Sequence, residues 1–312
     1  MNKMFSSLKN EFKEYITWNK KNPIGKISKE VAKEGAGENR IPFAHLANSL
    51  PVYLTFKRTI KKTNEKVNLL DVGCGTGRDI SFIKTFFSKS NYNFYGIDYS
   101  KACISFAKKQ YQAFGVKFKS FSGKFFPFED NYFDYVVSSH VLEHIKKEGG
   151  SLYLKEILRV TKKGGTIVIG TPNRKNCQNL FHPNPQDLPQ YRLILPHEHE
   201  YFYQEIENLI KEHKNGLKSY QIIETQNPYN RRLMKNSINI IKPSSNFFRI
   251  FIFYIYSYLR KNKFLQDLMA KFGTELILKT MKINYSDLIY NTTLKPYSSK
   301  KEGDNFIILL IK

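Results

Sequence analysis

The sequence predicts an α/β fold in which a largely parallel sheet is covered by helices on both faces, and three observations carry that expectation. From residue 67 onward, short β-branched or aromatic runs alternate with segments of helical period, the pattern that builds strand–helix–strand crossovers. A glycine-rich turn, Gly73-Cys74-Gly75-Thr76-Gly77, lies between the first such run and the first helical segment. An acidic residue, Asp98, closes the second run.

Taken in order, residues 67–72 form the first predicted strand. A helix follows in which Ile80, Ile83 and Phe87 share one face with Phe86 beside them, the 3.6-residue spacing of a half-buried helix. Residues 94–98 are the second strand. Ser100 is placed to cap the next helix, whose Cys103, Ala107, Tyr111 and Phe114 line one side until Gly115 ends it. Strands three, four and five are expected at 116–121, 133–138 and 166–171, with a helix around 152–160 and Gly164-Gly165 as the turn into strand five. Pro172 stops that strand, since proline has no N–H for the ladder. Phe202, Ile206, Leu209 and Ile210 then mark an amphipathic helix, followed by a weaker strand near 220–224 and a closing strand at 306–311.

Two pieces fall outside this repeat. Residues 1–62 read as a helical N-terminal segment, and 227–303 as a helical insert in which Leu265, Leu268, Met269, Phe272 and Leu276 recur at helix spacing. The core is then 63–226, completed by a last strand within 304–312, and the two additions are expected to cap an acceptor site.

Composition narrows the class. The 312 residues, 41% apolar with 20 Tyr and 25 Phe, suffice for a well-filled core. A net charge of +23 would ordinarily suggest a polyanionic partner. Here the basic residues are mostly Lys, scattered rather than blocked, in a chain also rich in Asn, Ile, Phe and Tyr; all have A/T-rich codons, so the excess reads as composition and solvated surface rather than as a nucleic-acid interface. Three cysteines at unpatterned spacing, Cys74, Cys103 and Cys177, read as free thiols of a reducing compartment. The first 20 residues carry charges throughout and lack a signal core. The longest apolar run, 247–259, contains Arg249 and is shorter than the roughly 20 residues a spanning helix needs. A cytoplasmic protein without a transmembrane segment is expected. Peripheral membrane contact through 247–259, beside Arg260, Lys261 and Lys263, is weighed against burial of that run in a lid, and burial is favoured because the run has no clean polar face.

The chemistry-bearing segment is Leu69-Leu70-Asp71-Val72-Gly73-Cys74-Gly75-Thr76-Gly77-Arg78. Glycines there let the backbone turn sharply and approach a ligand, and the following helix start offers free N–H groups. Asp98, twenty-one residues after Gly77, is suited to accept hydrogen bonds from both hydroxyls of a ribose. A nucleoside ligand is implied.

The G-x-G-x-G spacing behind Asp71 resembles motif I of the class I S-adenosylmethionine-dependent methyltransferases. Further matches follow in order: Phe126-Pro127-Phe128 with Asp130-Asn131-Tyr132-Phe133-Asp134, then Val141-Leu142-Glu143-His144, then Leu158-Arg159-Val160 with Lys163-Gly164-Gly165. The resemblance covers about residues 66–173. It implies a Rossmann-like sheet and S-adenosyl-L-methionine as cofactor, with Asp71, Gly73 and Gly75 around the methionine part. It places Asp98 on the ribose, Tyr99 beside the adenine, and Ser138, Ser139 and His140 as the remaining wall. One departure is visible: the acid that many members offer to the adenine amino group falls near Ser122 or Gly123, which makes Ser122 the candidate there.

Methyl transfer is an in-line displacement at an already activated carbon, so positioning supplies much of the rate, and a base is needed only where the nucleophile must lose a proton. The candidates are Glu143 and the histidines His140, His144, His197 and His199, with His140, His144 and His199 put forward as catalytic. His140-x-x-Glu143-His144 formally matches an inverzincin protease signature, which the surrounding pattern contradicts. The same element resembles that of small-RNA 2′-O-methyltransferases, which use a Glu-x-x-Glu-His segment and a later His to hold a divalent metal; carried over, this gives Glu143, His144 and His199 as an alternative metal set, with His140 standing where the first Glu would be. The favoured expectation is metal-free O-methylation of a small molecule or of a sugar in surface-glycan biosynthesis, the glycan part resting on family likeness. Metal-assisted RNA 2′-O-methylation is the runner-up, and a non-catalytic S-adenosylmethionine-binding module is the alternative from another class.

Overall fold

β1 (Val67–Val72) sends Leu69 to one face and Leu70 and Val72 to the other, and all three are buried, as a strand covered on both sides requires. This computed structural model describes residues 7–23, 28, 31, 48–87, 91–122, 124–174, 197–226, 293–297, 303 and 305–312. β1 pairs in parallel with β2 (Tyr92–Asp98) and with β4 (Phe133–Ser139), β2 with β3 (Lys117–Ser120), and β4 with β5 (Thr161–Pro172). β8 (Asn305–Ile311) runs antiparallel between β5 and β6 (Ser219–Gln226), and β7 (Thr293–Pro296) adds antiparallel to β6. The sheet order is β3-β2-β1-β4-β5-β8-β6-β7. It reverses direction between β1 and β4, and the crevice at such a point, beyond the carboxyl ends of the strands, is where open α/β sheets bind ligands.

Helices cover both faces. On one lie α1 (Lys9–Lys21), α2 (Leu50–Thr59), α3 (Arg78–Thr85) and α4 (Lys101–Tyr111); on the other α5 (Gly150–Val160) and α6 (Tyr203–Glu212). Ser100 caps α4 as its position suggests, its Oγ accepting from Cys103 N at 3.0 Å, and Gly115 closes the following turn at φ +66°. α1 and α2, both from the N-terminal segment, share one core with the sheet: Leu8, Phe12, Tyr15, Leu54 and Phe56 pack in the same cluster as Val137, Val168 and Ile307. Each such side chain contributes about 1.5–3 kcal/mol of burial. α2 lies across β4 and β5, and Gly170 is the notch that admits it, since a Cβ there would stand 2.2 Å from Val52 Cγ2.

Two expectations change. Strand five begins at Thr161, not after Gly165: Phe133 faces Thr161 while Tyr135 faces Thr166, so the intervening Lys-Lys-Gly-Gly is a bulge inside β5, with Gly164 at φ +78°. The stretch 227–303, expected to be helical, contains strand β7, whose partner Ile223–Gln226 lies far away in sequence. The helical periodicity and the apolar run 247–259, together with Cys177 and Gly123, lie outside the described residues. Cys74 and Cys103 are buried. Among the described residues no helix is long and apolar enough to cross a membrane.

Candidate active site

The glycine turn after β1 is tied together by backbone hydrogen bonds. Gly73, Gly75 and Gly77 take φ values of +75°, +52° and +77°, which L side chains rarely adopt. The N–H groups of Gly73 and Cys74 both donate to Ile97 O, at 2.8 and 3.0 Å, tying the turn to the end of β2. Asp98 completes the tie: Oδ2 accepts from Gly75 N and Oδ1 from Ser100 N, each at 2.8 Å. Its carboxylate is therefore fixed at the carboxyl end of β2. Tyr99 beside it is 76% exposed, and Ser122 is exposed on the loop after β3.

Asp71 is buried beneath the turn, and both its carboxylate oxygens accept from Tyr53 OH, at 3.1 and 3.0 Å. Tyr53 belongs to α2, and no sequence signal marked it. Further along the sheet edge, Ser138 Oγ and Tyr153 OH lie 2.6 Å apart; burial pushes the Tyr153 phenol well above its ordinary range, and the charges of Asp71, Glu143 and Asp98 add to the effect. Ser139 Oγ donates to Ser49 O, at the start of α2, at 3.3 Å.

His140 follows with φ +56°, held by its N–H to Gly170 O at 2.9 Å. Its Nδ1 lies 2.8 Å from Oε1 of the fully buried Glu143, and its Nε2 is buried with no hydrogen-bond partner among the described residues. Thr171 Oγ1 donates to the other oxygen of Glu143 at 3.1 Å. Burial alone would raise the Glu143 carboxyl, but the charge and hydrogen bond of His140, with His197 and His144 nearby, outweigh it and hold the group at about 2. The Glu143 backbone also organises the later loop: its carbonyl accepts from Glu198 N and His199 N at 2.7 and 3.1 Å.

The two late histidines on this loop have different partners. His197 turns inward: its ring meets His144 edge to face at 5.0 Å, and its Nδ1 lies 2.6 Å from Glu200 Oε1. Burial would depress His197, but the Glu200 hydrogen bond and the Glu143 and Glu200 charges raise it above the ordinary histidine value. His199 turns the other way, 3.2 Å from Glu205 Oε1, and burial lowers it. The group whose ligand atoms converge within 4.8 Å is thus Glu143, His144 and His197. His199 is not part of it, which corrects the alternative metal set: its Nε2 lies beside Glu205 instead, 3.2 Å from Oε1.

Residues 70–169, which run from β1 through β5, match the family described as "Methyltransferase domain". Over that segment the chain is similar to a methyltransferase domain. The residues present suit S-adenosylmethionine as a donor: a carboxylate fixed by two backbone N–H groups, a glycine turn at positive φ, a buried carboxylate beneath it and an exposed aromatic ring. Among relatives, the chain is similar to an uncharacterized protein of Methanocaldococcus jannaschii, 33% identical over 39% of this chain and 53% of that one. It is also similar to phthiotriol/phenolphthiotriol dimycocerosates methyltransferase 1 of Mycobacterium ulcerans, 25% identical over 43% of this chain and 54% of the relative. The chain thus spans about half the length of these relatives. A solved structure from Thermotoga maritima, described as a possible histamine N-methyltransferase, covers 98% of both chains at 14% identity with a TM-score of 0.48.

Proposed function

We propose that this chain is an S-adenosylmethionine-dependent O-methyltransferase in which His140 is the base, acting on a hydroxyl of a small molecule or of a surface-glycan sugar. The observation that carries the reading is the His140–Glu143 pair, set immediately after the Ser138–Ser139 end of β4. Glu143 orients the imidazole through Nδ1 and stabilises the imidazolium once it forms, leaving Nε2 to take the proton from the acceptor hydroxyl. S-adenosylmethionine, when bound, supplies an electrophilic methyl group; the protein's part is to align the oxygen with it and to hold the departing proton. Acceptors of small-molecule kind are favoured over nucleic acid by relatives whose names refer to dimycocerosates.

The test is turnover of candidate hydroxyl acceptors by the wild type and by His140→Gln, with donor affinity measured alongside. We expect kcat to fall by about 10²–10⁴-fold while donor affinity holds. Unchanged kcat would refute the role of His140, and donor binding without turnover of any acceptor would favour a binding module.

A second reading is supported by the convergence of Glu143, His144 and His197. In it these three hold a divalent ion near the acceptor, and Glu200, on the far nitrogen of His197, is the carboxylate that orients a histidine ligand. One equivalent of zinc or manganese bound by the wild type but not by His197→Ala, with loss of activity on chelation, supports this reading. Full activity in chelator removes it.

A further inference from the structure

The hydroxyl of Tyr53, from the N-terminal segment, reaches a cofactor-candidate carboxylate, that of Asp71. It bridges both oxygens of Asp71, 3.1 and 3.0 Å away, with Tyr53 only 3% exposed and Asp71 fully buried. The helix that delivers it is seated firmly. Val52 occupies the notch at Gly170, and Ser49 O receives the Ser139 hydroxyl, so the first turn of α2 is pinned to the carboxyl ends of β4 and β5. A second tyrosine offers the same chemistry on the other side of the glycine turn: Tyr15 OH donates to Asp79 Oδ1 at 3.0 Å, at the start of α3. Two carboxylates flanking one loop are thus each held by a tyrosine from outside residues 70–169, but Asp79 lies in a helix whereas Asp71 lies under the loop, where the donor's amino-acid end is proposed to sit.

We propose that Tyr53 is a positioning residue for the methyl donor: by holding both oxygens of Asp71, it fixes that carboxylate as the counter-charge to the ammonium of the donor's methionine part. This rests on the reading of the crevice as an S-adenosylmethionine site. Tyr53 has no role in holding the adenosine part, which belongs to the Asp98 side of the crevice. A phenol hydroxyl fixes a buried carboxylate without neutralising it, so the negative charge stays available to a ligand. The methyltransferase domain as matched by family likeness is then incomplete, because a determinant of donor affinity lies in α2, ahead of residue 70.

The experiment compares two ligands by calorimetry on the full chain: S-adenosylhomocysteine, which carries the amino-acid tail, and 5′-methylthioadenosine, which lacks it. Tyr53→Phe is expected to weaken S-adenosylhomocysteine about tenfold, the value of one lost charge-assisted hydrogen bond, and to leave 5′-methylthioadenosine unchanged. Asp71→Asn should show the same selectivity, and the double variant should lose little beyond Asp71→Asn alone. Tyr15→Phe should change neither affinity by more than twofold. Equal weakening of both ligands by Tyr53→Phe, or no weakening of either, overturns the proposal, since a merely structural tyrosine would not distinguish them. Additive losses in the double variant overturn it as well. If the wild type binds neither ligand, the donor site itself falls, a result distinct from the loss of selectivity.

Discussion

Gly73→Ala joins backbone strain and packing in one measurable substitution. Gly73 sits at φ +75°, and a Cβ built there would lie 2.1 Å from Val141 Cγ2. An L residue in the left-handed region costs about 1–2 kcal/mol, and forcing a methyl group into an occupied space costs about 1–3 kcal/mol more. The variant should therefore be destabilised by about 2–5 kcal/mol, read as a drop in melting temperature and in denaturant midpoint. The two parts separate in a double-mutant cycle. Val141→Ala removes the methyl groups that collide but leaves φ unchanged, so the double variant should recover about 1–3 kcal/mol relative to the sum of the singles. Destabilisation by Gly73→Ala of less than about 0.5 kcal/mol, within the range of neutral surface changes, or strict additivity with Val141→Ala, would refute the claim that the glycine turn and the loop after β4 are in contact.

Asp98→Ala removes a carboxylate whose two charge-assisted bonds to ribose hydroxyls would be worth about 1.5 kcal/mol each; donor affinity should fall roughly 100-fold by calorimetry, and a value within twofold of wild type would contradict its assignment. Glu143 is held below its ordinary value, at about 2, so its contribution to stability is complete above the unfolded carboxyl value near 4.5 and is lost as pH falls towards 2. Melting temperature followed against pH should show that acid slope in the wild type and a flatter one in Glu143→Gln. His197 is shifted the other way, upward, with Glu200 as its hydrogen-bond partner. Its contribution is complete below the unfolded histidine value and fades as pH rises through the folded one; Glu200→Gln should lose more stability at pH 5 than at pH 9, and an equal loss at both would count against the pairing.

Much of the architecture was legible because it is written locally. β1 occupies 67–72 as expected, and Ser100 and Gly115 bracket their helix, since cap and strand patterns depend on near neighbours in sequence. The bulge in β5 was not legible: two adjacent glycines read as a turn, and only pairing with Phe133 and Tyr135 makes that segment part of a strand. β7 was missed because four residues, Thr-Leu-Lys-Pro, carry no pattern of their own and become a strand only through β6. At the candidate site, the glycine turn and Asp98 were visible as a motif. Tyr53 was not, because one tyrosine in an apolar helix has no feature that distinguishes a core residue from a carboxylate's partner. The choice between His197 and His199 was equally hidden, because it turns on tertiary partners: the His144 ring and Glu200 for His197, and Glu205 for His199.

β8 has a consequence for assembly of the molecule. It is inserted between β5 and β6, strands that occur much earlier in the chain. Until residues 305–311 arrive, β5 and β6 each present an unsatisfied ladder edge, and such edges recruit other chains. Closing the sheet requires pairing across about 80 residues of sequence to β6 and more than 130 to β5, a slow kind of contact to form. Refolding should therefore pass through a period in which yield depends on protein concentration, and a peptide spanning the β8 sequence, added in excess, should shorten it by docking in the gap.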